Sequence, residues 1–205
     1  MSFSSDDNRP NKRTCQLEWN SDLRNDCINH PEFRNAKVLF LCGDNPENAN
    51  EARVRIGIGK TYIGVENNPI AYEKATLNKP ANVQLVHGDI FEVATKHLDA
   101  NILDLDFTCS HTNDLIINIL KLFQTFKNRI TITNEALAVG LTVAIRPYPA
   151  DLFKDTMKYM KHVIEQKLHY RIIHNKYRTY HDTIAGMHFW QIVLKNESKA
   201  NSSSD

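Results

Sequence analysis

Long apolar runs are missing from this sequence. Apolar-rich stretches such as residues 36–42 are strand-sized, far short of the roughly 20 residues that a membrane-spanning helix needs. Cysteine is sparse: four residues, widely separated at 15, 27, 42 and 109, which argues against a disulfide framework and for a reducing compartment. Charge of one sign is also lacking. The formal net charge is +1, so the whole molecule has no strong pull toward nucleic acid or a membrane surface, and any polyanion contact must use a local patch. The first residues hold no apolar stretch of the kind a secretory leader needs, and the expected location is the cytoplasm. Two apparent signals fall away on inspection. Cys15, Cys27 and His30 are irregularly spaced with no paired C-x-x-C, so no metal centre is expected. Gly57-Ile58-Gly59-Lys60-Thr61 ends like a phosphate loop, but Val54 stands where the first glycine belongs, and the segment joins a helix to a strand rather than a strand to a helix.

What is present suits one soluble α/β domain. Apolar residues make up 41% and charged residues 24% of 205, ordinary for a globular chain of single-domain size. Residues 1–13 are dominated by Ser, Asp and Asn and read as a disordered arm, with residues 197–205 a similar tail. Residues 14–196 are then the single domain.

Within it two periodicities alternate. Residues 38–42 (VLFLC) are an unbroken apolar run, the mark of a strand buried on both faces. Pro46 and Glu47 suit the first turn of a following helix, which would turn Ala49, Ala52 and Ile56 inward. Residues 61–65 are a second strand, closed by Glu66-Asn67-Asn68-Pro69, with a helix over 69–77. A third strand over 83–86 ends in His87-Gly88-Asp89 and leads to a helix over 90–98. A fourth strand occupies 101–106. The next helix, about 112–126, carries Leu115, Ile116, Ile119, Leu122 and Phe123 at helical spacing, and a fifth strand begins at 130–133. Strand alternating with helix means βαβ units and a parallel sheet. After an amphipathic helix over 150–166 the cadence changes: residues 170–180 and 187–194 are strands joined by a short polar connection, so they pair as an antiparallel hairpin.

This order, with short motifs at the strand ends, resembles the class I SAM-dependent methyltransferases. The resemblance covers about residues 36–195. It implies a Rossmann-like, mostly parallel seven-stranded sheet with helices on both faces and a C-terminal antiparallel β-hairpin. It also implies S-adenosylmethionine (SAM) as cofactor. Leu41-Cys42-Gly43-Asp44 takes the place of the family's glycine-rich turn, where the backbone approaches the cofactor's methionine part at a helix N-terminus. Only Gly43 remains of that turn, with Leu41 and Asn45 where glycines are usual; alternatively Gly43 simply ends a strand. Glu66, followed by Asn67, falls at about the 20-residue spacing after the turn at which an acid binds ribose hydroxyls, or is a solvated turn residue. Asp89 suits acceptance from the adenine amine with Ile90 against the ring, and also suits an N-cap. Asp104-Leu105-Asp106-Phe107 lies in the frame of the D-P-P-[YF] motif of enzymes that methylate amines of nucleic-acid bases, without its prolines. There Asp104 or Asp106 would face the target amine and Phe107 would stack on the base. A second frame sets Cys109 as a nucleophile, a role that requires a depressed pKa.

The function implied is methyl transfer to a base or nucleotide amine in RNA or DNA. The mixture of Lys, Arg, His and Tyr over residues 154–178 is a candidate patch for such a partner, or a solvated helix face. The competing reading is a catalytically silent relative acting as a cofactor sensor or protein-binding subunit. A nicotinamide oxidoreductase fits less well, since the terminal hairpin argues against it and no Tyr-x-x-x-Lys occurs in the chain.

Overall fold

The computed structural model describes residues 10–26, 30–44, 59–110, 112–144, 150–181 and 186–196, without the side chains of 10–13, 16, 108–110, 150–152 and 181. Its strands are β1 (Lys37–Leu41), β2 (Thr61–Glu66), β3 (Val83–His87), β4 (Ala100–Ser110), β5 (Leu137–Ala144), β6 (Tyr170–His181) and β7 (Gly186–Asn196). They form one sheet in the order β3-β2-β1-β4-β5-β7-β6. The first five pair in parallel, and β7 runs antiparallel to both β5 and β6. Every residue of β5 is buried, in keeping with its sequence LAVGLTVA, a run of leucine, small and β-branched side chains with no charge.

The helices are α1 (Pro10–Asp26), α2 (Pro69–Asn78), α3 (Ile90–Thr95), α4 (Asn113–Thr133) and α5 (Ala150–Gln166). Their starts follow local chemistry. Asn68 accepts from Ile70 N and Ala71 N, with Pro69 at the first helical position. Asp89 caps α3, and Thr112 caps α4 by accepting from Leu115 N at 3.2 Å. Helices α3, α4 and α5 pack on one face of the sheet, while α1, α2 and a short 3-10 turn (Pro31–Asn35) pack on the other. Seven side chains of α4 from Leu115 to Ile130 are buried, each contributing on the order of 1.5–3 kcal/mol relative to exposure.

Four boundaries differ from the sequence expectations. Residues 130–133 are not a strand but the last turn of α4. Ile130 follows Phe123 and Phe126 at helical spacing and is fully buried, so packing outweighs the strand preference of an Ile-Thr-Ile-Thr run. Asn134, in the left-handed region at φ 57°, ends that helix, and the fifth strand starts at Leu137. Strand β4 continues past Asp106 to Ser110. Helix α3 stops at Thr95, short of residue 98. Helix α1 begins at Pro10, inside the stretch expected to be an arm, and was not anticipated as an element. The helix expected after β1 lies outside the described residues.

Helix α1 lies on the sheet by two devices. Cys15, Trp19 and Leu23, spaced by four, are buried against the sheet. Beside them Glu18, Asp22 and Asp26, also spaced by four, meet Arg178, Lys176 and His174 of β6, spaced by two. Four helical residues rise about 6 Å and two strand residues about 6.7 Å, so the two charge ladders run in step. The Lys176–Asp22 distance is 2.8 Å and His174–Asp26 is 3.8 Å. Pairs so close to the surface contribute about 0–1 kcal/mol each, so they fix the helix's register more than they hold it down.

Two glycines shape the α1 side of the sheet. A side chain on Gly140 would begin 3.3 Å from the Trp19 and Phe189 rings, and one on Gly64 would begin 2.9 Å from Leu85 Cδ2 and 3.0 Å from Cys42 Cβ. Gly64→Ala is therefore expected to destabilise the fold by about 1–3 kcal/mol, read as a lowered urea midpoint with an unchanged slope.

Candidate functional site

Parallel strands end side by side, so the loops after β1, β2 and β3 open at one edge of the sheet. Cys42 N donates to Val65 O at 3.2 Å, and Gly88 N donates to Glu66 O at 3.0 Å, joining the three strand ends directly. Gly43 follows with φ +61°, and an added Cβ there would meet nothing within 4 Å. Its conformation favours glycine, and no described residue crowds the space over it. Asp44 is partly buried beside it.

The Glu66 carboxylate is held by its own turn. Asn68 N donates to Glu66 Oε1 at 2.8 Å, and the Asn68 side chain in turn caps α2. His87, paired with Glu66 across the strands, places Nε2 3.2 Å from Asn67 O and its ring 5.0 Å from that of Tyr72. Asp89 accepts from Phe91 N at 2.8 Å and Glu92 N at 3.4 Å through one oxygen, Oδ1, while Ile90 is buried behind it. The structure thus brings Cys42, Gly43, Asp44, Glu66, Asn67, Asp89 and Ile90 to one edge.

Cys42 is buried, and its thiol donates to Gly43 O at 3.4 Å. Burial, and then the nearby Glu66 carboxylate, push this thiol up to about 12. At neutral pH it is a neutral, inert group.

Strand β4 divides the remaining candidates. Asp104 pairs with Phe40 of β1 and Gly140 of β5, and Asp106 pairs with Thr142. Both carboxylates lie on the α1 side of the sheet and line one pocket with Cys15, Trp19, Thr142, Tyr180 and Phe189. Asp104 is 9% exposed, and Asp106 is half-buried. Phe107 is not with them. Alternation turns it to the other face, where its ring stacks on Phe91 of α3 with centroids 5.9 Å apart and planes 13° from parallel. The Cys109 side chain lies outside the described residues. The pocket's walls from α1, β5, β6 and β7 carry no motif in the sequence. The one signal for them was the four-residue spacing of Cys15, Trp19 and Leu23.

The Cys42 environment has a consequence for alkaline stability. The thiol's folded pKa lies above its ordinary value of 9.0, so its contribution is complete below about pH 9 and is lost as pH rises toward 12. Denaturant midpoints measured from pH 8 to 11 should fall with pH, and the fall should be shallower in Cys42→Ala.

No family model matches the chain, and no curated protein matches it in sequence. Solved structures do match. The fold is similar to that of M. jannaschii TYW2 in complex with AdoMet, at 12% identity over 88% of this chain and 76% of that one, with a TM-score of 0.52. It is similar to precorrin-6y C5,15-methyltransferase from Geobacter metallireducens, at 12% identity over 95% and 94% of the two chains, with a TM-score of 0.53. A fibrillarin/Nop5p complex matches at 15% identity over 78% and 72%, with a TM-score of 0.55. The strand order, the hairpin between β6 and β7 and these likenesses agree: the chain has a Rossmann-like α/β fold, similar to that of these solved structures.

Proposed function

We propose that the chain binds SAM across the ends of β1, β2 and β3 and transfers its methyl group to an amine of a nucleic-acid base in RNA or DNA. The observation that carries this reading is the placement of Asp104 and Asp106 on one face of β4, in one pocket, on the strand next to β1, whose end leads into Gly43. Gly43 leaves room for a ligand's polar backbone. Glu66 keeps Oε1 on its turn and offers Oε2 to the ribose hydroxyls. Asp89 caps α3 with Oδ1 and offers Oδ2 to the adenine amine. The Phe91–Phe107 stack forms an apolar wall on the α3 side for the adenine ring, so Phe107 serves the cofactor rather than the acceptor. Bound SAM supplies the methyl as a sulfonium carbon open to in-line attack.

The chain's own part in the reaction is mostly positioning. Asp104, the more buried of the two carboxylates, fixes the acceptor amine by accepting one of its N–H bonds. Asp106 takes the proton that the amine sheds as its new C–N bond forms. The pocket's free volume is about 10 Å³, room for roughly one water, so a flat ring enters only when the walls part, and Tyr180 and Phe189 then line it.

Titration calorimetry with SAM should give one site, lost in Glu66→Ala. Labelled methyl should pass to an RNA or DNA fraction, and Asp106→Ala should slow that transfer by about 10²–10⁴-fold with SAM affinity unchanged. Binding of SAM with no label in any fraction would instead identify a cofactor sensor, and no SAM binding would overturn both readings.

A further inference from the structure

The sheet surface beneath α1 has a gap at Gly140. Asp104 of β4 flanks it on one side and Gln191 of β7 on the other, since both residues pair with Gly140. Two strand spacings separate them, about 10 Å, which is the width of a single planar base. Trp19 of α1 fills the gap, with its Cε2 and Nε1 3.3 Å from where a Gly140 side chain would begin.

The indole fills the shape of this niche but not its hydrogen bonds. Trp19 is 0% and Gln191 1% exposed, and among the described residues Trp19 Nε1, Gln191 Oε1 and Gln191 Nε2 have no hydrogen-bond partner. Buried polar atoms are nearly always satisfied in a resting structure, and exceptions call for a cause. The other tryptophan shows the ordinary case: Trp190 Nε1 donates to Asn175 Oδ1 at 2.8 Å. The niche therefore offers a carboxylate at one end, a carboxamide that both donates and accepts at the other, and a glycine floor between them. A flat ring with an amine on one edge and an acceptor across the ring from it, as adenine has in N6 and N3 and cytosine in N4 and O2, matches that sequence of groups. Uracil has no amine to set against the carboxylate.

We propose that the niche over Gly140 is the acceptor-base subsite and that Trp19 occupies it as a plug, which leaves when α1 lifts and the base enters between Asp104 and Gln191. This rests on the methyl-transfer reading for the choice of a base, but its test does not depend on activity. The device suits the way α1 is attached. Three apolar side chains and a ladder of near-surface ion pairs hold it to the sheet, and the ladder re-seats it in one register after each opening.

The test uses the full chain labelled with ¹⁵N and short single-stranded oligoribonucleotides of A, C or U, added with and without SAM. Trp19→Phe identifies the Trp19 indole N–H signal. Oligo-A or oligo-C should shift or broaden that signal while the Trp190 signal stays in place, and oligo-U should move neither. Gln191→Leu should keep or raise the thermal midpoint, leave SAM affinity within twofold, and weaken oligonucleotide binding at least tenfold. An unmoved Trp19 signal, equal movement of both tryptophans, or a lower midpoint in Gln191→Leu would overturn the proposal. So would a response to a glutamine-containing peptide in place of the oligonucleotides. Trp19 displacement without methyl transfer would sustain the subsite and sink the enzyme reading. Methyl transfer indifferent to Gln191→Leu would do the reverse.

Discussion

Successive side chains on a β-strand point to opposite faces of the sheet, and on β4 that alternation apportions the chemistry. Asp104 and Asp106 go to the side covered by α1, and Phe107 goes to the side covered by α3. Three residues within a four-residue stretch thereby serve two different surroundings. The face with the carboxylates also holds Gly64 and Gly140, each accommodating a large neighbour where a side chain would stand. The opposite face is a mainly apolar layer under α3, α4 and α5, with His188 stacked on Phe153 within it. Polar and catalytic candidates thus concentrate on one side, while the other supplies most of the burial that keeps the sheet folded.

The framework was legible in the sequence because its signals are local. Apolar runs gave β1 and β2, the Asn68-Pro69 pair gave the start of α2, and the absence of a helical pattern between residues 180 and 187 required a hairpin. Where long-range packing decides, the sequence was mute. Residues 130–133 have strand-forming side chains, yet Ile130 completes a buried stripe on α4. The apolar face of α1 is a single file of Cys15, Trp19 and Leu23 amid polar residues, too narrow for a periodicity argument. The candidate cofactor residues came together because strand ends are set by topology. The pocket walls did not emerge, because Thr142, Tyr180 and Phe189 come from strands far apart in the chain.

Several polar side chains at the strand ends serve the fold while remaining open to a ligand. Glu66 and Asp89 each commit one carboxylate oxygen to backbone N–H groups, which pins the carboxylate without consuming it. Such anchoring lowers the ordering cost of binding, since the groups need not be fixed when the ligand arrives. Cys42 shows the opposite arrangement. Its burial beside Glu66 keeps it uncharged, so it acts as a small apolar spacer in the turn.

The strand order has a consequence for how the chain is made. Strand β7 inserts between β5 and β6, although the ribosome delivers β6 first. Until β7 emerges, the fully buried β5 has one backbone edge without its partner, and β6 has nothing to join. An edge of that composition, open during synthesis, can pair with another nascent chain. Closure of the sheet therefore waits for the final strand, and truncations within residues 186–196 should yield aggregates rather than a smaller folded unit.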